Sequence, residues 1–587
     1  MTLSTRCFSA FALILLLLPA SHVLAAGACG SPATPISAVQ GQGDTSPLAG
    51  QGVTVEGILT FDARMDGGFS GFYLQQADSE TDNNPETSEA LFVYTRKKTG
   101  EPGERLRVTA SVKEFHGLTE LANVRSITAC GSAPLPRAQV LTLLWPNALE
   151  SFENMRVKVA QPLTIIDSWN LARYGELTLA AGDQVVPTEY LQPGPQAAQI
   201  SHRNRQQRLL LDDGRGVRQP NPIPWPPGGL NGKNTVRSGD KIHELLGILD
   251  YRFGAWRLQP KKPPVFEPVN TRPPAPARPE DPHVRVMTMN LENYFNGNGE
   301  GEGFPTTRGA TTAPTLEIQR RRLVEALRRP DPDILAVTEL ENDGYSDTSA
   351  IAQLARALGP QWAFVETPGA DGSDQIRTGL LYRSDRIVAE TPAERLNTGL
   401  FSQRGRPPLA QTFRPEGQRI SIQIVVPHLK SKSCRGAKGD NRDRNDGQGC
   451  YAKRRTRAAH ALVEWIEQLP PIPDLAGTLI TGDLNSYFQE EPLQVLQHAG
   501  FTSMVHHFHP CTAQQCDHYT YRYKGEKGSL DYALASAALK ARVLEAQTWA
   551  INADEPRALG YKNNLPGTTA SPWRSSDHNP VIIDIRL

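Results

Sequence analysis

At 587 residues the chain exceeds what one hydrophobic core supports, and roughly two to four domains follow. Its 62 Lys and Arg balance 62 Asp and Glu, which excludes a protein that coats nucleic acid stoichiometrically but not an enzyme that must release a polyanion. With 47 prolines and 49 glycines, turns and β-structure are favoured over long helices.

The first 25 residues read as a signal peptide. Arg6 supplies the positive charge, an apolar run covers residues 8–18, and Val23, Leu24 and Ala25 fit a cleavage site. The run is shorter than the roughly 20 residues a membrane span needs. A lipid anchor through Cys29 fits less well, because Ala26 stands where leucine is expected. The mature chain is therefore expected to be exported, to periplasm or medium, with no membrane anchor. Cys7 leaves with the leader, and six cysteines remain, an even number that suits disulfides in an exported protein. Proximity suggests Cys434–Cys450 and Cys511–Cys516, which leaves Cys29–Cys130.

Residues 29–140 look all-β. Segments 53–58, 71–75 and 105–112 alternate with a period of two between glycine- and proline-bearing turns, as in a small barrel. Phe72, Tyr73 and Phe115 are either its core or a surface on which bases stack. A second β-rich part spans 150–260. Residues 261–282 are dense in proline and read as an extended linker.

Residues 283–587 alternate strands and helices, an α/β pattern. Strands are expected at 284–289, 333–338, 419–426, 478–481 and 581–585. Leu316, Leu323, Val324 and Leu327 mark a helix that Pro330 ends, and Ile351, Leu354 and Leu358 mark another. A third carries Leu462, Trp465 and Leu469. Polar residues sit at the strand ends: Asn290, Glu339, His428, Asp483 and Asn485 in GDLN, Asp531, and Asp577 and His578 in SDHNP. Adjacent strands deliver their ends to one rim, so these groups can converge. Asn, Glu and Asp are hard oxygen ligands, suited to magnesium or manganese, with calcium also compatible. Two histidines beside carboxylates suit acid–base work on a phosphate ester.

The motifs MNLENYF at Asn290, LAVTELEN at Glu339, HLKSK at His428, GDLN and SDHNP, in this order, resemble the endonuclease/exonuclease/phosphatase family, which includes deoxyribonuclease I. The whole chain resembles its bacterial extracellular nuclease branch, whose catalytic domain follows β-barrels; the first barrel resembles an oligonucleotide-binding (OB) fold. The resemblance implies a four-layer α/β/β/α sandwich with its site at the rim of two facing sheets. It implies that Asn290, Glu339 and Asp577 bind the metal, and that Asp483 and Asn485 hold the scissile phosphate and the water. It implies that Asp531 orients His578, a base or phosphate clamp. His428 would contact the phosphate and protonate the leaving oxygen, with Asp374 as its partner, and Tyr382 would touch a phosphate oxygen. Which group is base and which acid stays open. Pro427 and Tyr451 depart from the nuclease branch, which has asparagine at both places.

The stretch 430–444 follows His428 and carries Lys430, Lys432, Arg435, Lys438, Arg442 and Arg444. With Arg454 nearby, it reads as a grip on a phosphate backbone. His506, His507, His509, Cys511, Cys516 and His518 form either a disulfide-closed insertion or a zinc site. The function expected is hydrolysis of nucleic acid, DNA first and RNA second, with no obligate protein partner. The competing readings are a secreted phospholipid diesterase, which should display an exposed apolar hairpin, and a non-catalytic nucleic-acid-binding protein, which should have lost ligands.

Overall fold

The computed structural model describes residues 28–142, 149–280, 283–369, 371–402, 405–563, 565–568 and 570–587. The signal-peptide segment lies outside them. Among the described residues no helix is long and apolar enough to cross a membrane. All three expected cysteine pairs are disulfides.

Five strands close a barrel: β1 (Gly52–Asp62), β2 (Gly71–Gln75), β3 (Ala90–Tyr94), β4 (Glu104–Phe115) and β5 (Leu118–Ser132), in the order β1-β2-β3-β5-β4 with β4 pairing back to β1. Inward residues such as Val55, Leu74, Val93 and Val108 fill it. Phe72 and Tyr73 are fully buried and belong to the core, whereas Phe115 stays exposed.

Nine strands build the next sheet. They are β6 (Gln139–Leu141), β7 (Arg156–Val159), β8 (Leu163–Asp167), β9 (Leu177–Ala180), β11 (Arg208–Leu211), β12 (Lys241–His243), β13 (Leu246–Arg252), β14 (Ala255–Pro260) and β15 (Val265–Glu267). The sheet is wider than the expected 150–260, since β6 precedes that range and β15 follows it. The expected linker is thus partly a strand. β15 fits between Pro264 and Pro268 because it is an edge, bonded to β12 on one side only, where missing amide donors are tolerated. Two further residues of the expected linker are tied down: Arg272 pairs with Glu555, and Asn270 Nδ2 donates to Asp554.

A short strand, β10 (Gln184–Val185), leaves this sheet. It pairs in parallel with β27 (Glu526–Gly528), whose hairpin partner is β26 (Tyr521–Tyr523). Asp183 clamps the joint through Arg522 at 2.6 Å and Lys527 at 3.0 Å.

The C-terminal part holds two sheets. One runs β18 (Trp362–Phe364), β19 (Ile376–Arg383), β17 (Ile334–Glu341), β16 (Val284–Tyr294), β30 (Val581–Ile585) and β29 (Val543–Thr548). The other runs β20 (Ile387–Ala389), β22 (Leu409–Pro415), β23 (Ser421–Val426), β24 (Leu475–Asp483), β28 (Asp531–Ala535) and β25 (Thr502–Ser503), with β21 (Glu394–Arg395) on β22. The alternation along β23 decides its faces. Ile422, Ile424 and Val426 point into one core with Val286, Ala336, Leu380 and Ile583 of the facing sheet. Val425 points the other way, onto Leu462 of the helix Ala452–Gln468. Outside the first sheet, the helices Ala313–Arg328 and Ala350–Leu358 lay Leu323, Leu327, Ile351 and Leu354 on Met287, Leu335 and Val337. Thr312 and Ser349 cap these helices by accepting from the amides of Thr315 and Ala352. Each fully buried aliphatic side chain contributes roughly 1.5–3 kcal/mol, and this holds the two sheets at a fixed separation. The strand ends that carry the polar residues therefore meet at a rigid rim.

Candidate active site

β24 ends on Asp483 directly opposite Asp531, where β28 starts. His428, just past β23, forms a bridge to Asp483 from the other side. The turn after β24 is closed by Asn485, whose amide donates to Asp483 Oδ1 at 2.8 Å and whose side chain donates to the Leu429 carbonyl. Asn290 reaches across from the other sheet, and its Nδ2 donates to Asp483 Oδ2 at 3.2 Å. The loop before β30 is fastened to the same point, since Ser576 Oγ donates to the Asn290 carbonyl at 2.6 Å. His578 follows, with Nδ1 2.6 Å from Asp531 Oδ2. Asn290, Glu339, His428, Asp483, Asn485, Asp531, Asp577 and His578 thus converge from nearly 300 residues of chain.

The backbone is bent for this purpose. Glu339 has φ +58°, and Glu292 has φ +52°, both in the left-handed region that costs a residue with a side chain about 1 kcal/mol or more. Each lies where its strand slips register against its neighbour. The bulge turns the carboxylate out of the sheet toward the rim.

Glu292 is a site residue that sequence reading missed. It lies two positions after Asn290, but the bulge there breaks the two-residue alternation of the strand, so the sequence carried no sign of its role. Burial and the Asp577 charge push its carboxyl up to about 7, with Glu339 adding to the effect. Burial and Asp577 also raise Glu339. The buried Oε2 of Glu292 has no hydrogen-bond partner, and Arg574 stands 3.9 Å from Oε1. Three carboxylates that repel one another, one with an orphaned oxygen, and an amide oxygen from Asn290 fit a hard divalent cation. Asp483, Asp531 and His578 bring their ligand atoms within 4.8 Å of one another, but His578 Nδ1 and Asp531 already use theirs on each other.

The two histidines are pushed in opposite directions. Burial lowers His578, but Asp531, Asp577 and Asp483 more than offset this, and its pKa lies well above the ordinary value. Burial and the adjacent Arg406 push His428 well below. Arg406, also missed in the sequence, donates from Nη1 to the His428 ring at 2.7 Å and from Nη2 to the Leu429 carbonyl. Burial and Asp531 raise Asp483 to about 7, against the pull of His578. Tyr521, from the hairpin bound to β10, packs its ring 4.5 Å from that of His578.

Several expectations are corrected. Tyr382 pairs with Ile334, at the end of β17 remote from Glu339, and packs on Phe413 in the core between the sheets. Asp374 pairs with Arg308, and Arg406 takes the place beside His428. Both histidines are buried, at 2% and 6% exposure. Lys432 is held on the buried Glu490, whereas Arg444, itself exposed, pairs with Glu491 and Asp446. Lys438 and Arg442 are exposed, and Lys430 lies close enough to Arg406 and Arg454 for their charges to lower its pKa after burial does. Cys511 is oxidised to a disulfide, and His506 is held between Ser503 and Glu189, which removes the zinc reading of the insertion.

Paired sheets with helices outside them, and carboxylates and histidines gathered at one rim, define a phosphoesterase type of site. Residues 287–578 match the model of the Endonuclease/Exonuclease/phosphatase family, and this part of the chain belongs to that family of hydrolases. Residues 147–270 match a domain of unknown function (DUF8508). No curated protein matches the chain. Among solved structures it is similar to D. rerio TDP2 humanized by 14 mutations, at 16% identity and TM-score 0.34, over 52% of this chain and 99% of that one. It is similar to the human Nocturnin catalytic domain, at 17% identity and TM-score 0.33, over 52% and 94%. It is also similar to the AP endonuclease LMAP from Leishmania major, at 15% identity and TM-score 0.33, over 52% and 88%.

Proposed function

We propose that the protein is an exported, divalent-metal-dependent phosphodiesterase that hydrolyses nucleic acid, with DNA as the preferred substrate and RNA as a second one. The observation that carries this reading is the buried contact of His578 Nδ1 with Asp531, 2.6 Å apart, with Asp483 directly opposite Asp531 and the carboxylates Glu292, Glu339 and Asp577 close enough for their charges to act on one another. Asn290, Glu292, Glu339 and Asp577 would hold the metal. A bound magnesium or manganese ion supplies positive charge to the phosphate oxygens. Asp483, poised near neutrality, takes a proton from the attacking water, which Asn485 helps to orient. His578 stays protonated and offsets the charge that grows on the phosphate, while the leaving oxygen takes its proton from water. His428 acts as a neutral acceptor that holds Arg406 in place, rather than as the acid expected from the family pattern.

Export is supported by the leader-like N-terminus and the disulfides. Nucleic acid is supported by Lys430, whose charge acts on His428, by Arg454 beside Lys430, and by the exposed Lys438 and Arg442 on the stretch that follows. The test is one assay of the purified mature protein with plasmid, linear DNA, RNA, sphingomyelin and a phosphate monoester, with and without chelator. Metal-dependent cleavage of DNA is expected. Hydrolysis of the lipid or the monoester alone would overturn the substrate class, and full activity in chelator would overturn the metal.

A further inference from the structure

A cleft of about 200 Å³ opens beside the carboxylate cluster, and two parts of the chain build it. Glu292 and Asp577 line it from the catalytic part, together with Arg557 and Arg574. Asp167 and Trp169 line it from the nine-stranded sheet. β8 ends on Asp167, whose carboxylate accepts from the Trp169 amide at 2.7 Å. This turn throws the indole out of the sheet. Trp169 is 58% exposed, although the guanidinium of Arg557 lies 3.7 Å over its ring. A tryptophan left largely in water, at the mouth of a cleft whose wall holds the metal ligands, has no packing reason to be there.

We propose that Trp169 and Arg557 form a base-stacking subsite, through which the second domain holds the nucleobase next to the scissile phosphate. This deepens the function proposed above and rests on it. With the phosphate at Glu292 and Asp577, the adjoining unit of the substrate lies in this cleft. Indole and guanidinium planes bind flat rings by stacking and cation–π contact. A nucleobase supplies such a ring whatever its identity, and a lipid headgroup does not. The subsite therefore favours nucleic acid without reading sequence, and it gives the nine-stranded domain a role in substrate choice.

The test uses the mature full-length chain with magnesium, as wild type, Trp169→Ala and Trp169→Phe. One substrate is an oligodeoxynucleotide with a single cleavable phosphodiester among methylphosphonates. The other carries abasic tetrahydrofuran units on both sides of that phosphodiester. Trp169→Ala is expected to raise KM on the base-bearing substrate by roughly tenfold with kcat little changed, and Trp169→Phe to recover most of it. On the abasic substrate wild type and Trp169→Ala are expected to match. An unchanged KM on the base-bearing substrate overturns the subsite, and so does an equal loss on the abasic one, which would make Trp169 a mere prop of the cleft. Failure of the wild type to cleave either oligonucleotide while it hydrolyses another phosphate ester overturns the nucleic-acid reading itself, and the subsite with it.

Discussion

His578 Nδ1 lies 2.6 Å from Asp531 Oδ2, and both side chains are buried. Two strands of different sheets meet through this pair, and it fixes both the ring orientation and its proton. Asp531→Asn is expected to lower turnover by at least about a hundredfold, a usual size for lost acid–base or charge stabilisation. The same variant should bring the His578 titration down, followed by NMR of the ring. His578→Ala and His428→Ala should lose activity to a similar extent. Because both rings are buried, circular dichroism must accompany the kinetics. Wild-type turnover in a folded Asp531→Asn protein would remove the pair from the chemistry.

The carboxylate cluster leads to a binding prediction. Glu292→Gln and Glu339→Gln are each expected to weaken Mn²⁺ affinity by about tenfold or more, read by calorimetry. Neutralising one carboxylate should also make the metal-free protein more stable, since Glu292, Glu339 and Asp577 repel one another. Unchanged affinity in Glu292→Gln would move the metal elsewhere.

The basic stretch 430–444 divides into two kinds of cation. Lys438 and Arg442 are exposed, and neutralising both should raise KM on long DNA and reduce the salt slope by up to about two. Arg444→Ala should barely change the slope, because Glu491 and Asp446 already hold that side chain. Lys432→Ala is a stability variant: it leaves Glu490, which is fully buried, short of a partner, and should cost on the order of 3 kcal/mol in chemical denaturation. A stable Lys432→Ala protein with a flattened salt slope would reverse this division.

Asp183 ties the second domain to the hairpin that carries Tyr521. Burial raises its carboxyl, but Arg522 and Lys527 more than offset this and bring it to about 2. A depressed folded pKa stabilises the protein above the unfolded value near 4, and the benefit is lost as pH falls from about 4 through 2. Asp183→Asn is therefore expected to cost about 2 kcal/mol at pH 7, and the gap to wild type should narrow below pH 4. Urea unfolding at pH 7 and pH 3 measures it. An equal gap at both pH values would mean that the ion pairs contribute nothing.

Much of the site was legible because its residues lie in short motifs at strand ends, and strand ends of one sheet share a rim. The alternation at Ile422, Ile424 and Val426 marked a strand with one apolar face, and packing between the facing sheet and a helix buries both faces. Tyr382 was misplaced because a tyrosine near the end of a strand carries no sign of which end of the sheet it occupies; the register of β19 on β17 decides that. Glu292 was overlooked because its role depends on a bulge, and a left-handed glutamate leaves no composition signal. Lys432 and Arg444 counted as cations in the sequence, but only Glu490 and Glu491, dozens of residues away, determine whether a cation is spent on a carboxylate or offered to a phosphate.

The sequence by itself determined the family of the C-terminal part, the chemistry of its ligands, the cysteine pairs and the β-rich character of the first half, because each is carried by residues close together in the chain or by a period of two. The tertiary structure alone decided the direction in which each histidine's pKa is pushed, the entry of Arg406 and Glu292 into the site, and the placement of Trp169 beside it. Charge states and clefts depend on burial and on neighbours brought together from distant segments, and those are properties of packing that no local pattern encodes.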